Sequence, residues 1–415
     1  MLPSRPLPLW AGRTVALLGI LLVGLNLRTA VAVISPIVAE INVDIRLDSV
    51  ALGVIGAVPP IAFALSALFG ALLAKRIGLE RLLALAIVAM IVGQLLRSAA
   101  TNYPVLLIGS IIAMVGAGIG NVLLPPIVKR YFPDRIGLVT SLYVTLLSIG
   151  TAVTAALTAP IADSVGWRMS LAVWSIVALV ALVPWVMVLL QQRRERSALA
   201  ADDEAPELEE PAAGSVGRIW HSRTAWTIAI VFALSTFHAY TAFAWLPQLL
   251  MDVVGVSHVQ AGSLLALYSI VGLPSALIVP LLTVRLKNVS WVIQSGVAAF
   301  VLGYLGLLLV PTVVPWLWVV LIGAGPLLFP AALTLINLRT RTHEGSVAMS
   351  GFVQTIGYAI GALGPLLVAT LHDLTGGWTA VLVLLIATAL ACAIVGARLA
   401  KPTFVEDDIA RRRSV

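Results

Sequence analysis

The chain is poor in charge: Asp, Glu, Lys and Arg make up 11% of its 415 residues, against about 25% in soluble domains. Hydrophobic residues make up 60% instead. A soluble body of this size has too few interior positions to hide them, and a disordered chain needs the opposite composition. Cysteine is almost missing. Cys392 stands alone inside an apolar run, so no intrachain disulfide can form and the residue reads as a small buried hydrophobe. Catalytic signatures are missing too. No Gly-x-Ser-x-Gly elbow occurs, His343-Glu344 is followed by Val347 where a zinc-protease helix needs His, and no nucleotide phosphate loop is present. The N-terminal apolar run lacks a small-residue cleavage site, so it reads as a retained first helix and not a signal peptide. What survives these exclusions is an integral membrane protein.

A bilayer-spanning helix takes about 20 mostly apolar residues. Twelve such runs follow one another, at 14–38, 50–74, 81–100, 104–129, 136–161, 168–190, 225–250, 260–284, 289–310, 313–337, 346–371 and 377–399. The chain therefore reads as an all-α integral membrane protein of twelve spans. With both termini on one side, 22 of the 26 basic residues fall on that side, against three (Arg46, Arg97, Arg168) opposite and one, Arg28, within a span. That asymmetry makes the basic side cytoplasmic. The net charge of +7 is thus a topology signal, and a nucleic-acid partner is not expected.

The longest polar stretch, 192–224, holds QQRRER and ADDEAPELEEP and reads as a solvated linker. It divides the chain into an N-terminal bundle at 1–191 and a C-terminal bundle at 225–415. Short motifs recur at nearly half the chain length: GAGIGNVLLPP from Gly116 and GAGPLLFP from Gly323, Ser141 and Ser350, Gly166-Trp167 and Gly377-Trp378, Pro36 and Pro247. Two homologous six-helix halves follow, a layout that places a binding site between them near the bilayer midplane.

These features resemble the major facilitator superfamily. LAKRIGLERL, from Leu73 to Leu82, is similar to its loop signature Leu-Ala-Asp-Arg-x-Gly-Arg-Arg through Ala74, Arg76, Gly78 and Arg81. Lys75 stands where the signature has Asp, which removes the usual carboxylate contact to a neighbouring helix. NLRTAV at Asn26, GNVLLPPIVKRYFP at Gly120 and AFAWLPQLL at Ala242 resemble the cyanate and 2-nitroimidazole transporters of that superfamily. The resemblance implies two pseudo-symmetric six-helix bundles in a bacterial inner membrane, moving a cyanate-like ion or a nitroimidazole-like compound by alternating access.

Polar groups within the spans are the candidate site. A charge near the bilayer centre costs at least about 2.5–3.5 kcal/mol, and Arg28 sits midway along the first span, two residues after Asn26. No Asp or Glu lies well inside any span. Arg28 is expected to face the central cavity and attract an anionic or strongly polar substrate; the alternative is a pair with helix-end carbonyls or a carboxylate. His238 is the near-equivalent position in the second half, and it either bonds substrate and titrates or is a satisfied structural donor. Tyr240 lies about 200° further round a regular helix. Asn121, before Pro125-Pro126, either binds substrate or pairs helices. Tyr143, Tyr268, Phe329, Gln354 and Tyr358 complete the candidates. Gly116-x3-Gly120 and Gly357-x3-Gly361 permit close helix approach. The expected partners are a small-molecule or anionic substrate and the lipid bilayer, with uniport, exchange and His238-linked symport with a coupling proton all open, the chain a monomer, and no cofactor or metal. A drug/proton exporter of the same fold, an intramembrane enzyme and a non-transporting sensor are the rival readings.

Overall fold

The computed structural model describes residues 13–132, 134–198, 219–341 and 343–411. Among them are twelve helical stretches long and apolar enough to cross a bilayer: Thr14–Ala32, Ser49–Gly70, Leu79–Ser98, Tyr103–Val128, Leu138–Val165, Trp167–Gln192, Arg223–Val254, His258–Arg285, Ser290–Leu309, Pro315–Leu338, Ala348–Thr375 and Thr379–Ala400. They are numbered spans 1 to 12 below. Large apolar side chains such as Phe69, Trp291 and Ile394 are exposed on their outer surface, as expected of walls that face lipid. Most of the expected linker lies outside the described residues. Its first part continues the span 6 helix to Ala198, and its last residues open the helix of span 7.

Spans 1–6 and spans 7–12 form two bundles, and the sequence repeat has a structural counterpart. The Trp167 indole, at the start of span 6, donates to Asp44 beyond the end of span 1 (3.0 Å). The Trp378 indole, just before span 12, donates to Asp252 at the end of span 7 (2.9 Å). The repeated Gly-Trp pair is therefore the same brace used twice. Asp44 also pairs with Arg168, which stacks over the Trp167 ring. First the Arg168 bond and then the Trp167 bond hold the Asp44 carboxyl below the usual carboxylate range.

On the basic face, ion pairs run within each bundle. Arg13 pairs with Asp134 (2.7 Å) and Arg130 with Glu80 (3.1 Å) in the first; Arg341 pairs with Asp407 (3.0 Å) in the second. Toward the opposite face, polar contacts join the bundles. His258, opening span 8, bonds Asp163 at the end of span 5 (2.8 Å) and approaches Glu40 (3.4 Å). The Ser35 hydroxyl donates to the Ala244 carbonyl (3.0 Å).

Three spans expected as single runs are interrupted, span 11 by a turn at Ala362 and spans 1 and 10 as follows. Span 1 stops as a helix at Asn26 and resumes at Thr29. The Thr29 hydroxyl is bonded to both the backbone and the side-chain oxygen of Asn26 (2.8 Å each), a local side-chain bond that competes with the helical ladder. Leu27 and Arg28 form the turn between. Span 10 passes through a 3-10 turn at Gly325–Leu327, where Pro326 supplies no backbone donor. Span 5 packs hard against the first interruption: a Cβ on Gly24 would lie 2.9 Å from the Tyr143 carbonyl, and one on Gly150 would collide with the Leu25 carbonyl. Gly150→Val is therefore expected to destabilise the detergent-solubilised protein by roughly 1–3 kcal/mol, the usual range for overpacking. A melting temperature equal to wild type would contradict this packing.

Candidate functional site

The interruption of span 1 places Arg28 outside the regular helix, at the N-cap of the short Thr29–Ala32 turn. Its guanidinium lies 5.7 Å from the ring centre of Phe63 in span 2, within cation–π range. Phe63 in turn meets Tyr240 and Tyr358 edge-on, at 6.3 and 5.9 Å. Tyr240, Tyr268 and Tyr358 all lie within electrostatic reach of Arg28. Tyr240 is at the edge of hydrogen-bonding reach of the guanidinium, but the geometry stops short of a bond. The buried hydroxyls of Tyr240 and Tyr268 both lack a partner. No ion pair to Arg28 occurs among the described residues.

Arg28 and the three tyrosines line one cavity between the bundles, of about 190 Å³, with Phe63 behind the lining. A water needs about 10–15 Å³ on this kind of measure, so there is room for a small solute. The first bundle contributes Arg28, Val144, Leu147, Ser148 and Thr151. The second contributes Ser235, Thr236, Tyr240, Phe243, Tyr268, Phe329 and Tyr358, with Ala276 and Pro330 carrying the lining toward the basic face. Gly323 lets the span 10 interruption sit against the backbone of Tyr268, which a Cβ would approach to 2.8 Å. One cation, a set of hydroxyls and flat aromatic walls can bind a small anion or a planar polar molecule. The wall contains no carboxylate, histidine or cysteine that would hold a metal.

Of the residues expected from sequence, Arg28, Tyr240, Tyr268, Tyr358 and Phe329 come together here. The others do not. His238 is fully buried on the far side of span 7, hydrogen-bonded to Tyr304 (3.1 Å) and Thr388 (3.3 Å) and stacked 4.3 Å from the Phe300 ring. The 200° separation of His238 and Tyr240 does operate, but it is Tyr240 that faces the cavity, on an unbroken helix. Asn26 is buried at the interruption, bonded to Thr29 and reaching the Met90 sulfur at 3.9 Å. Tyr143 packs on Gly24. Gln354 donates to Ser350 one turn away (2.7 Å). Asn121 is half-buried in span 4 and is not part of the lining.

The sequence reading missed Phe63 and the small hydroxyls Ser148, Thr151, Ser235 and Thr236. An aromatic or a serine in an apolar span carries no local mark of which way it faces. It also counted Arg97 among the basic residues of the outer side, at the end of the third run; the structure keeps it in the last turn of span 3 and buries it to 2% exposure. The helical turn Thr29–Ala32 ends at Ala32, and the Ala30 carbonyl within it accepts from Arg97 Nη1 (3.0 Å). His238→Ala should remove a buried ring and strand the Tyr304 hydroxyl, lowering stability by about 2–5 kcal/mol as for large-to-small core changes. Solute affinity should stay within about twofold, less than half a kcal/mol. A tenfold loss of affinity in the folded variant would contradict this placement.

Residues 16–365 match the Major Facilitator Superfamily. The chain is 31% identical over 393 residues to the 2-nitroimidazole transporter of Escherichia coli K12, covering 92% of this chain and 95% of that one. It is 26% identical over 367 residues to the cyanate transport protein CynX of the same organism, covering 87% and 91%. Its fold matches the crystal structure of a bacterial homologue of the human lysosomal transporter Spinster with a TM-score of 0.69 at 16% identity, over 98% of this chain and 94% of that one. These relatives are transporters and not enzymes, in keeping with a cavity that offers a cation and hydroxyls but no catalytic constellation. The chain belongs to the major facilitator superfamily and is a multi-pass membrane transporter of small solutes.

Proposed function

We propose that the transported solute is a small anion or anion-like planar molecule, and that Arg28 is the group that binds it. The observation that carries this reading is a half-buried guanidinium with no ion pair among the described residues, set in a cavity beside two unsatisfied phenol hydroxyls. Leaving two buried hydroxyls without partners is costly, and so is leaving a half-buried guanidinium without a counter-charge. A solute carrying negative charge and acceptor atoms relieves all three at once, and guanidinium donors match such groups well. Cyanate, named for one relative, is linear and singly charged; 2-nitroimidazole, named for another, is flat and acceptor-rich. The aromatic walls formed by Tyr240, Phe243 and Phe329 suit a flat molecule, and the single cation suits either.

In this reading the basic face is cytoplasmic, in a bacterial inner membrane, and both termini lie on that side. The cavity extends toward the cytoplasm while His258, Asp163, Glu40 and Ser35 close the opposite end, so the conformation is inward-open. Alternating access then requires the His258 contacts to break and the basic-face ends of the bundles to approach. Binding and rocking need only the chain itself, so a monomer is sufficient. The cavity wall offers no carboxylate or histidine to take a proton, which favours uniport or exchange over proton symport at this site.

Arg28→Ala in proteoliposomes should weaken anion uptake affinity by roughly 10–150-fold, the equivalent of the 1.5–3 kcal/mol of a charged hydrogen bond, and Arg28→Lys should retain part of it. Wild-type uptake by correctly inserted Arg28→Ala protein would overturn the reading. His258→Ala should raise the outward-open population, read as a longer distance between spin labels placed across the two bundles on that face. An unchanged distance distribution would show that the contact is not part of the closure.

A further inference from the structure

Arg97 is a buried cation in the last turn of span 3 and has no role in the cavity just described. Its Nη1 is occupied by the Ala30 carbonyl (3.0 Å), its Nε is buried without any partner, and no ion pair to it occurs among the described residues. At 2% exposure it cannot reach solvent. An ion buried in this way carries an effective penalty of several kcal/mol unless something compensates it.

Arg97 lines a second, smaller cavity of about 30 Å³, enough for a small ion by the 10–15 Å³ that one water needs. Ser35, Leu52 and Ser110 place this cavity toward the face opposite the basic loops. The Ser35 and Ser110 hydroxyls already donate to backbone carbonyls, Ala244 (3.0 Å) and Leu106 (2.8 Å); Arg97 Nε and the Tyr240 hydroxyl are buried donors without a partner, the latter shared with the Arg28 side. Tyr240 and Phe243 line both cavities and form the partition between them. The backbone also couples the two cations, because Arg97 holds the carbonyl two residues after Arg28.

We infer that Arg97 holds a second small-anion site, on the far side of the Tyr240–Phe243 partition from Arg28, and that an anion passing between the far face and the main cavity pauses there. The pausing role rests on Arg28 binding the transported anion; the site itself does not. Movement of the Tyr240 ring would hand the anion from one cation to the other while its free hydroxyl accompanies it.

Equilibrium dialysis of radiolabelled thiocyanate against the purified full-length protein tests this. Two anions per chain are expected for wild type, one for Arg97→Gln and one for Arg28→Gln. Arg97→Lys, which keeps the charge, guards against loss of fold in the glutamine variant: it should still bind two, with one of the two affinities weakened about tenfold and the other unchanged. One anion per wild-type chain that vanishes in Arg28→Gln overturns the second site and leaves the Arg28 reading intact. Two anions with both affinities unchanged in the Arg97 variants also overturn it. A wild-type protein that binds one anion, lost in Arg97→Gln and kept in Arg28→Gln, overturns the Arg28 reading and the pausing role together. No binding at all overturns both.

Discussion

The structure is organised around a charge that the protein declines to neutralise. Arg28 sits where the first span stops being a helix, and among the described residues nothing acidic answers it. Everything that sets the position of this guanidinium is local and physical. A threonine hydroxyl captures the Asn26 oxygens, the turn at Leu27–Arg28 swings the side chain out of the helical register, and two glycines let span 5 pack against the kink. Phe63 lies under the cation as a flat, polarisable support. Were span 1 a regular helix, the same arginine would have no such platform.

The two-bundle architecture turns that local arrangement into an interface. The cation comes from the first bundle, and the unsatisfied phenols of Tyr240 and Tyr268 come from the second. A solute that binds both necessarily bridges the halves, so its binding energy is available to change how they are arranged. The Trp167–Asp44 and Trp378–Asp252 braces keep the first and last helices of each half together. Motion is thereby directed to the seam between the bundles, where His258 and Ser35 supply the polar contacts on one side.

Much of this was legible in the amino-acid sequence, for definite reasons. Twelve apolar runs, a 22-to-3 imbalance of basic residues and a half-length repeat are properties of long stretches, and bilayer thickness leaves them few interpretations. Arg28 was legible because charge in an apolar run is rare enough to require a cause. The rest of the site turned on orientation. His238 and Tyr240 occupy opposite sides of one helix, and only the packing of spans 9 and 12 around His238 decides which of them meets the cavity. The burial of Arg97 was not legible because it depends on a carbonyl of another span: the Thr29–Ala32 turn ends early, and its Ala30 carbonyl takes the guanidinium.

The central claim is that the uncompensated guanidinium of Arg28 is completed by a bound anion. Diffraction from crystals grown with selenocyanate, a linear anion with an anomalously scattering atom, tests it most directly. The account predicts an anomalous peak in the cavity between Arg28 and the Tyr240 and Tyr268 hydroxyls. An empty cavity at saturating selenocyanate, or an Arg28 side chain clamped by a carboxylate of the protein itself, would contradict it.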